Sequence, residues 1–563
     1  MRSTFYGMEV ARSGLYTSQN ELNVTGHNIA NVDTAGYTRQ RLNTSALPAL
    51  SMNVQFAVDN RATAGRGVEA QTVDQIRNLF TDAKYREESS STSYWEVKSD
   101  EFYMVEQLFS SVLEQEQTSA SIWNALDVFK TALYALEENP SSKDLRTNLL
   151  TAANQLTESF RYVYGKLEEQ HDNLNSAVEV TVRQINELGV SIANLNRQIF
   201  GYELTGAKAN DLRDERNLLL DQLSELVDIR YSEDSQGYLT VTIGGRELVK
   251  GVESYQLTVD PRGSANQLDV LANAENAGTQ YKVVWADAMG NPSTSPNDVA
   301  YIQGGELKAY IDLRDGATEN NPGIPYAAEL LNDLARLIAK EVNDLHRQGY
   351  TMPFTEADAI GTAANVKIYA VDSGLLLGDT MQTVTAADGT VYYESMQGIN
   401  FFDTGAYNDY RKITAGSFQV SSEIKNNVFL IAASSSKVTI SGEVNADGSL
   451  NQQTGNAENL KRITALYDRK NELGLSDNFQ DRLKSLYTSI ANEMDEMNTL
   501  YASQQTRLLS ISQQRQSESS VSLDEEMTNV VRFTHAYNAN ARVITAIDEE
   551  LDVLINRLGR VGL

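Results

Sequence analysis

A seam of apolar residues close to the C-terminal end of the chain sets what the rest must supply. From Leu523, alternate steps of four and three reach Met527, Val530, Thr534, Tyr537, Ala541, Ile544, Asp548, Leu551, Ile555 and Leu558, all apolar except Thr534 and Asp548. That spacing predicts a coiled-coil helix, roughly 55 Å long at the helical rise. One helix cannot bury its own stripe, so the partner must come from far back in the chain or from another molecule. Ser522 and Glu525 stand three apart, which predicts a capping box. Asp524, Glu525 and Glu526 add negative charge at the positive end of the helix dipole.

The chain has 563 residues, 41% apolar and 22% charged, enough for three or four domains with cores of their own. It contains no cysteine, which excludes disulfides, thiolate zinc sites and cysteine redox chemistry. A formal net charge of -29 and a pI near 4.6 argue against nucleic acid or an anionic membrane as partner. No run of about 18 apolar residues is present, and the first thirty residues lack a basic region followed by an apolar one. Neither membrane insertion nor a cleaved secretory signal is expected. On these grounds alone the chain reads as cytoplasmic, unless it leaves by a route that needs no such signal.

The N-terminal stretch carries a thinner seam through Met8, Ala11, Leu15, Ser18, Leu22, Thr25 and Ile29, with Gly7 and Gly14 beside it. A helix with so narrow an apolar face is marginal alone and needs a partner to order it. The C-terminal seam is the natural partner. After this helix, Asn28, Asn31 and Asp33 cap their own backbone and Gly36 can take a positive φ, so residues 27–41 form a structured turn.

Asn-Ile-Ala-Asn-Val-Asp-Thr-Ala-Gly-Tyr-Thr-Arg-Gln at 28–40 and the stretch from Ser520 to Ile544 together resemble the paired terminal signatures of the bacterial flagellar axial proteins. Arg39 and Gln40 after Gly36-Tyr37, the run 210–229 and the run 334–350 narrow this to the hook-associated family at the first layer of the hook-filament junction, the FlgK family. The resemblance implies a structural subunit of the flagellum and an extracellular place at the junction, reached by type III export without a cleaved signal peptide. It implies as partners other copies of the chain in a ring-like homo-oligomer, the hook protein, the second junction protein, and an export chaperone on the C-terminal helix. It also makes Leu15, Leu22, Asn28, Ile29, Asn31, Thr34, Gly36, Tyr37, Arg39, Gln40, Leu523, Met527, Val530, Tyr537, Ala541, Ile544, Leu551, Ile555 and Leu558 the expected assembly interface. A hook or rod protein of the same class and a cytoplasmic coiled-coil dimer are the alternatives.

Between the termini, Met52–Val58 alternates and Val68–Val73 answers it, predicting a hairpin. Helical periodicity begins near Gln75, is interrupted by the polar tract at 89–92, resumes to Asn139-Pro140, and then runs from about Ser142 to Phe200. Asp211 is expected to cap a helix with Leu212, Leu219, Leu223 and Leu226 inward, and its charged string reads as a solvated face. A period of two then predicts a hairpin around Gly244-Gly245, and strands at Val391–Glu394 and Phe418–Val420. Helices return near 305–314, 325–347, 456–470 and 477–515.

The expected fold is α+β and multidomain. Residues 1–74 with 520–563 form a terminal assembly domain of coiled coil and hairpin. Residues 75–230 with 456–519 form a helical rod joined by helices near 305–350, and 231–304 and 351–455 form a β region and a β-rich central lobe. No enzyme is expected. His27, His171, His346 and His535 are scattered, with no zinc-hydrolase motif, nucleophile elbow, Walker A or dinucleotide fingerprint, and His346 reads as helix-end chemistry. No cofactor or metal is expected, since the acidic loop near Asn445 lacks calcium-ligand spacing.

Overall fold

A computed structural model describes residues 6–47, 65–113, 121–204, 206–234, 236–271, 278–287, 289–293, 295–355, 368–369, 376–378, 383–385, 391–404, 409–438, 440–444, 450–452, 456–469 and 478–553. In chain order these hold α1 (Tyr6–Ala30), the hairpin β1 (Gln40–Ala46) and β2 (Val68–Gln75), then α2 (Leu79–Val112), α3 (Ile122–Glu138), α4 (Lys143–Glu203) and α5 (Asn210–Leu226). A sheet of β3 (Arg230–Glu233), β4 (Leu239–Ile243), β5 (Arg246–Lys250) and β6 (Glu253–Ser254) follows, then β7 (Leu257–Ala265), α6 (Gln267–Leu271) and β8 (Thr279–Trp285). Next come α7 (Gly305–Asp315), the two-residue strands β9 (Ala317–Thr318) and β10 (Asn321–Pro322), and α8 (Ile324–His346). Short strands between Phe354 and Gln452 and the small helix α9 (Ser422–Asn426) lead to α10 (Glu458–Thr464), α11 (Phe479–Ser519) and α12 (Leu523–Asp552).

The chain goes out along helices and returns along helices. α2 and α11 pack antiparallel, which places Glu96 beside Tyr501, Ser99 beside Asn498 and Glu106 beside Tyr487. α4 is 61 residues long, about 90 Å at the helical rise, and begins where Ser142 accepts from the Leu145 amide. Its apolar stripe is buried throughout. Leu149, Leu156, Phe160 and Leu167 join one core with α3, α8 and α11. Val178, Val182, Ile185 and Ile192 join a second core with α5 and the β3–β6 sheet.

The polar tract at 89–92 does not interrupt anything. α2 runs unbroken, with Ser89, Ser90, Thr92 and Ser93 buried in it. Small side chains there let neighbouring backbones come close: a Cβ on Gly304 would stand 2.8 Å from Ser90 Oγ. The expected hairpin at Gly244-Gly245 is present, with both glycines at positive φ. At the N-terminal hairpin, β2 pairs with Gln40–Ala46; the alternating run 52–58, like Asp388-Gly389 and the loop 445–449, lies outside the described residues.

In the centre the sheets are small, and Phe418–Val420 is no strand: Val420 makes only an isolated bridge to Phe402. Backbone bonds from the Asp403 amide to the Gln419 carbonyl and from the Ser421 amide to the Phe401 carbonyl make that one bridge, and around it side chains rather than a continuing ladder satisfy the backbone. Asn343 brackets Phe402, accepting from its N–H at 2.8 Å and donating to its carbonyl at 2.9 Å. Asn332 accepts from the Ala415 amide, Arg146 donates to the Val428 and Ile431 carbonyls, and Asn459 donates to the Ala432 carbonyl. His346 is fully buried and belongs to this set rather than to helix-end electrostatics. Its Nδ1 pairs with the Ile399 carbonyl, and its Nε2 accepts from the Ala432 amide at 2.8 Å.

That arrangement fixes a neutral ring, and burial pushes its pKa down to about 4. The folded value lies below the ordinary one near 6.5, so the stabilisation is whole above about pH 6.5 and is lost as pH falls toward 4. Between pH 7 and 4.5 this one group is expected to remove about 2–3 kcal/mol. Urea titrations of the parent and His346→Gln at both values check it, because the variant is expected to lose that much less on acidification.

Candidate assembly interface

α12 finds its partner within the chain. It lies antiparallel to α1 at a constant register: Gly7 faces Ile547, Gly14 faces Asn540, and Asn28 meets Glu526. A Cβ at Gly14 would stand 2.8 Å from the Asn540 side chain and one at Gly7 3.1 Å from Ile547, so these glycines let the helices approach.

Half of the expected stripe holds, with Ala11, Ser18 and Thr25 on α1 and Val530, Tyr537, Ile544 and Leu551 on α12, while the alternate positions are displaced by one residue, from Leu15 to Gly14 and from Met527 to Glu526. On α1 the positions turned inward are Ala11, Gly14, Ser18, Thr25 and Asn28; on α12 they are Glu526, Val530, Phe533, Tyr537, Asn540, Ile544, Ile547 and Leu551. Leu15, Leu22 and Ile29 remain half-buried at the edge of the seam, and so does Ala541. Leu523, Met527 and Val531 are 48%, 56% and 55% exposed. In antiparallel helices, residues rotated from the seam in the same sense lie on the same side of the pair. The ribbon therefore has two unlike sides. One is covered by the hairpin, where Tyr6 donates to the Gly65 carbonyl and the Val68 amide to Ser13 Oγ. The other carries Met8, Leu15, Leu22 and Ile29, all half-buried, with Met527 56% exposed, while Leu523 continues the seam past the end of α1.

The base of the ribbon is a polar joint. Ser522 stands at the N-cap of α12 without a side-chain bond, so the capping box does not form. Glu525 instead accepts from Arg39 Nη1 at 2.6 Å, and Glu526, 1% exposed, accepts from Arg39 Nε at 2.8 Å and Asn28 Nδ2 at 3.2 Å. Asn28 also receives Tyr37 Oη–H and the Gln40 amide on its Oδ1, and its Nδ2 reaches the Gln40 carbonyl. Backbone bonds close the ring, from the Arg39 amide to the Ser519 carbonyl and from the Ile76 amide to the Arg39 carbonyl. Within the turn, Asn31 Nδ2 donates to the His27 carbonyl and Thr34 Oγ1 to Asn31 Oδ1. Gly36 has φ +78°, and a Cβ there would lie 3.3 Å from Leu218.

The charged string on α5 is a solvated face only in part: Asp211 and Glu215 are exposed, while Asp214 forms the other half of this joint and Arg216 is buried. Asp214 is buried and accepts from the Thr38 amide at 3.0 Å and Thr38 Oγ1 at 2.6 Å. Burial raises its pKa despite those bonds. Asp211 does not cap α5, whose N-cap is Ala209 without a side-chain bond; it accepts from Gln40 Nε2. Leu220 and Leu223 are the buried leucines of this helix, with Leu212, Leu219 and Leu226 only half-buried. Arg77 spans Asp82 and Asp214, Arg86 holds Asp221, and Arg515 of α11 bridges Asp82 and Asp221 at 2.7 Å each. Burial pushes the Asp82 carboxyl up, but the Arg77 hydrogen bond and three guanidinium charges outweigh it and hold the pKa below the ordinary value. Burial and nearby carboxylates also raise the Tyr37 phenol well above its usual range, so it serves as a donor.

Of the expected interface residues, the structure thus gathers Asn28, Asn31, Thr34, Gly36, Tyr37, Arg39 and Gln40 into the joint. Val530, Tyr537, Ile544 and Leu551 lie in the in-chain seam, Leu15, Leu22, Ile29, Ala541 and Met527 lie along its edge, and Leu523 stands exposed past the end of α1. Ile555 and Leu558 fall outside the described residues. No group of three metal-ligating side chains and no helix long and apolar enough to cross a membrane occur among the described residues.

Comparison with known proteins agrees with this architecture. Residues 107–359 match the family described as the helical domain of the flagellar hook-associated protein FlgK. Residues 512–558 and 8–38 match the C-terminal region of the flagellar basal body rod FlgEFG proteins and the flagella basal body rod protein family. Flagellar hook-associated protein 1 of Bacillus subtilis (strain 168) is 28% identical over the full length of both chains. Its counterpart in Escherichia coli (strain K12) is 26% identical over 97% of this chain and 98% of that one. A solved structure of the flagellar hook junction protein FlgK from Burkholderia pseudomallei shares the fold, with a TM-score of 0.52 at 16% identity, over 78% of this chain and all of that one. The terminal segments are those of the axial class at large and the helical body is that of one member, so the chain belongs to the FlgK family of flagellar hook-associated proteins.

Proposed function

We propose that the chain is a structural subunit of the hook-filament junction and that the uncovered side of the α1–α12 ribbon is where neighbouring subunits pack. The observation that carries this is the asymmetry of the ribbon: the hairpin packs against α1 on one side, and half-buried Met8, Leu15, Leu22 and Ile29 with exposed Met527 line the other. Burying such a row contributes about 25 cal/mol per Å², so a few hundred Å² from each neighbour adds up around a ring. The joint holds the ribbon at a set angle to the helical body, so that subunits placed side by side present their ribbons alike. The hook protein, the second junction protein and a chaperone on α12 before export are the partners this reading calls for, together with export into the flagellum without a cleaved signal.

The reading is tested by charging the open side alone. Leu22→Lys with Met527→Lys is expected to leave the isolated chain folded, with its unfolding free energy changed by under about 1 kcal/mol because both sites are partly exposed. Hooks in cells carrying it are expected to lack filaments, counted by electron microscopy. Normal filaments on those hooks would remove the open side from the subunit contact.

A further inference from the structure

The α1–α12 seam holds two helices close without saying where they should stop. Small residues recur on α1 every seven positions, as Gly7 and Gly14 and as Ala11, Ser18 and Thr25. Phe533, Asn540 and Ile547 recur on α12 at the same period. A slide of one heptad, about 10.5 Å at the helical rise, sets Asn540 against Gly7 and Phe533 against Gly14. Large side chains would again meet small ones, so close packing does not choose between the two registers.

We propose that Glu526 is the positioning residue that fixes the register of the terminal helix pair. In the observed register its carboxylate is buried and held from two directions, by Asn28 Nδ2 and Arg39 Nε. A slide of one heptad toward the start of α1 puts it opposite Glu21 instead. Burial already disfavours the charged form of that acid, and two carboxylates facing each other across a seam repel. The opposite slide carries Glu526 beyond Ala30, past the end of α1. One buried acid therefore accepts one register of three, as a single buried polar side chain does in a coiled coil. Glu525 does not share this role. It pairs with the same arginine, but its side chain is 63% exposed, and such pairs contribute little. The inference rests on the assembly reading only in its consequence, that ribbons out of step by a heptad would present their open sides at mismatched heights.

The absence of native cysteine makes the register directly readable. Gly14→Cys with Asn540→Cys reports the observed register, and Gly7→Cys with Asn540→Cys reports the slipped one. A disulfide needs Cα atoms within about 7 Å, so each pair closes in one register only. In the otherwise unaltered full chain under mild oxidation, the first pair is expected to close and the second to stay open. Glu526→Leu is expected to lower the ratio of first to second closure by about tenfold or more, while Glu526→Gln, which keeps an acceptor for Arg39, preserves it. Asn28→Leu with Glu526→Leu replaces the polar contact by an apolar one that holds the helices together, and it is expected to let both pairs close. The proposal is overturned if the first pair alone closes in both leucine variants, since the register is then held elsewhere. It is equally overturned if neither pair closes in the double variant, since the acid is then needed for pairing as such. Failure of the first pair in the parent would remove the in-chain pairing, and crosslinking in the isolated chain is decided independently of filament attachment.

Discussion

Replacing Arg515 with methionine is expected to lower the free energy of unfolding by about 3 kcal/mol, at the low end for breaking a buried ion pair. The guanidinium stands between two carboxylates, with Nε on Asp82 and Nη2 on Asp221. The Asp82 and Asp221 side chains are only 5% and 14% exposed, so removing the cation leaves two negative charges poorly screened. The loss stops short of the upper end because Arg77 still holds Asp82 and Arg86 still holds Asp221. Arg515 also stacks on Tyr85 at 4.5 Å, a contact that methionine only partly replaces. The effect is directional as well as large: α11 meets α2 here by this charge, after its last deeply buried apolar residue at Met497. Backbone amides of 508–519 and 79–90 are therefore expected to exchange about a hundredfold faster, with those of α8 unchanged. Arg507→Ala is the control, since its pair with Glu88 spans 3.8 Å and its side chain is 60% exposed; it is expected to shift stability by under about 0.5 kcal/mol. If the two variants unfold at the same urea concentration, the joint is not held by its buried charges.

The sequence shows the helices because their apolar periods are long, and it shows the joint poorly because a joint has no period. α4 could be read almost to its ends from Leu174 to Ile199 and the stop at Pro140. The two terminal seams were legible as seams, with Ala11, Ser18, Thr25, Val530, Tyr537 and Ile544 in place, but every second position was read one residue away from where the helices touch. Hydrophobicity points to the large side chains Leu15, Leu22, Leu523 and Met527, whereas Gly14, which leaves room for the Asn540 side chain, makes the in-chain contact. The polar tract 89–92 misled for the same reason, because serine looks like a break to a hydrophobicity count and like a close contact to a neighbouring helix. For α5 a usable signal did exist. Asp211 and Asp214 stand three apart, Asp211 and Glu215 four, and Arg213 and Arg216 three, so like charges share the helix face while opposite charges fall two apart. Such a helix cannot pair with itself and must find its counter-charges elsewhere, as it does on Arg77, Glu203 and Glu233, with Thr38 adding a hydrogen bond to Asp214. Glu526 carried no signal beyond being the third of three acids in a first turn; its burial depends on a turn nearly five hundred residues earlier.

Removing residues 521–563 is expected to leave almost every hook without a filament, while the helical body keeps its fold. Among the described residues, the body's two cores draw none from this segment, so its unfolding transition is expected to stay within about 1 kcal/mol of the parent. The ribbon does not survive the loss. α1 buries little of its own, with Ala11, Thr17, Ser18, Thr25 and Asn28 as its buried positions, and without α12 its small-residue face is exposed to water. A helix of 25 residues with three glycines, left with only the hairpin beside it, is close to the margin of stability in water. At its base, Arg39 and Asn28 lose the carboxylate that joins them. The shortened chain is thus expected to show loss of amide protection over residues 6–30 in addition to the missing segment, which separates a coupled ribbon from two helices that fold independently. In cells it is expected to give bare hooks by electron microscopy and no swimming halo. Filaments of normal number would mean that subunits join through the helical body, and protection of 6–30 at its parental level would mean that α1 needs no partner.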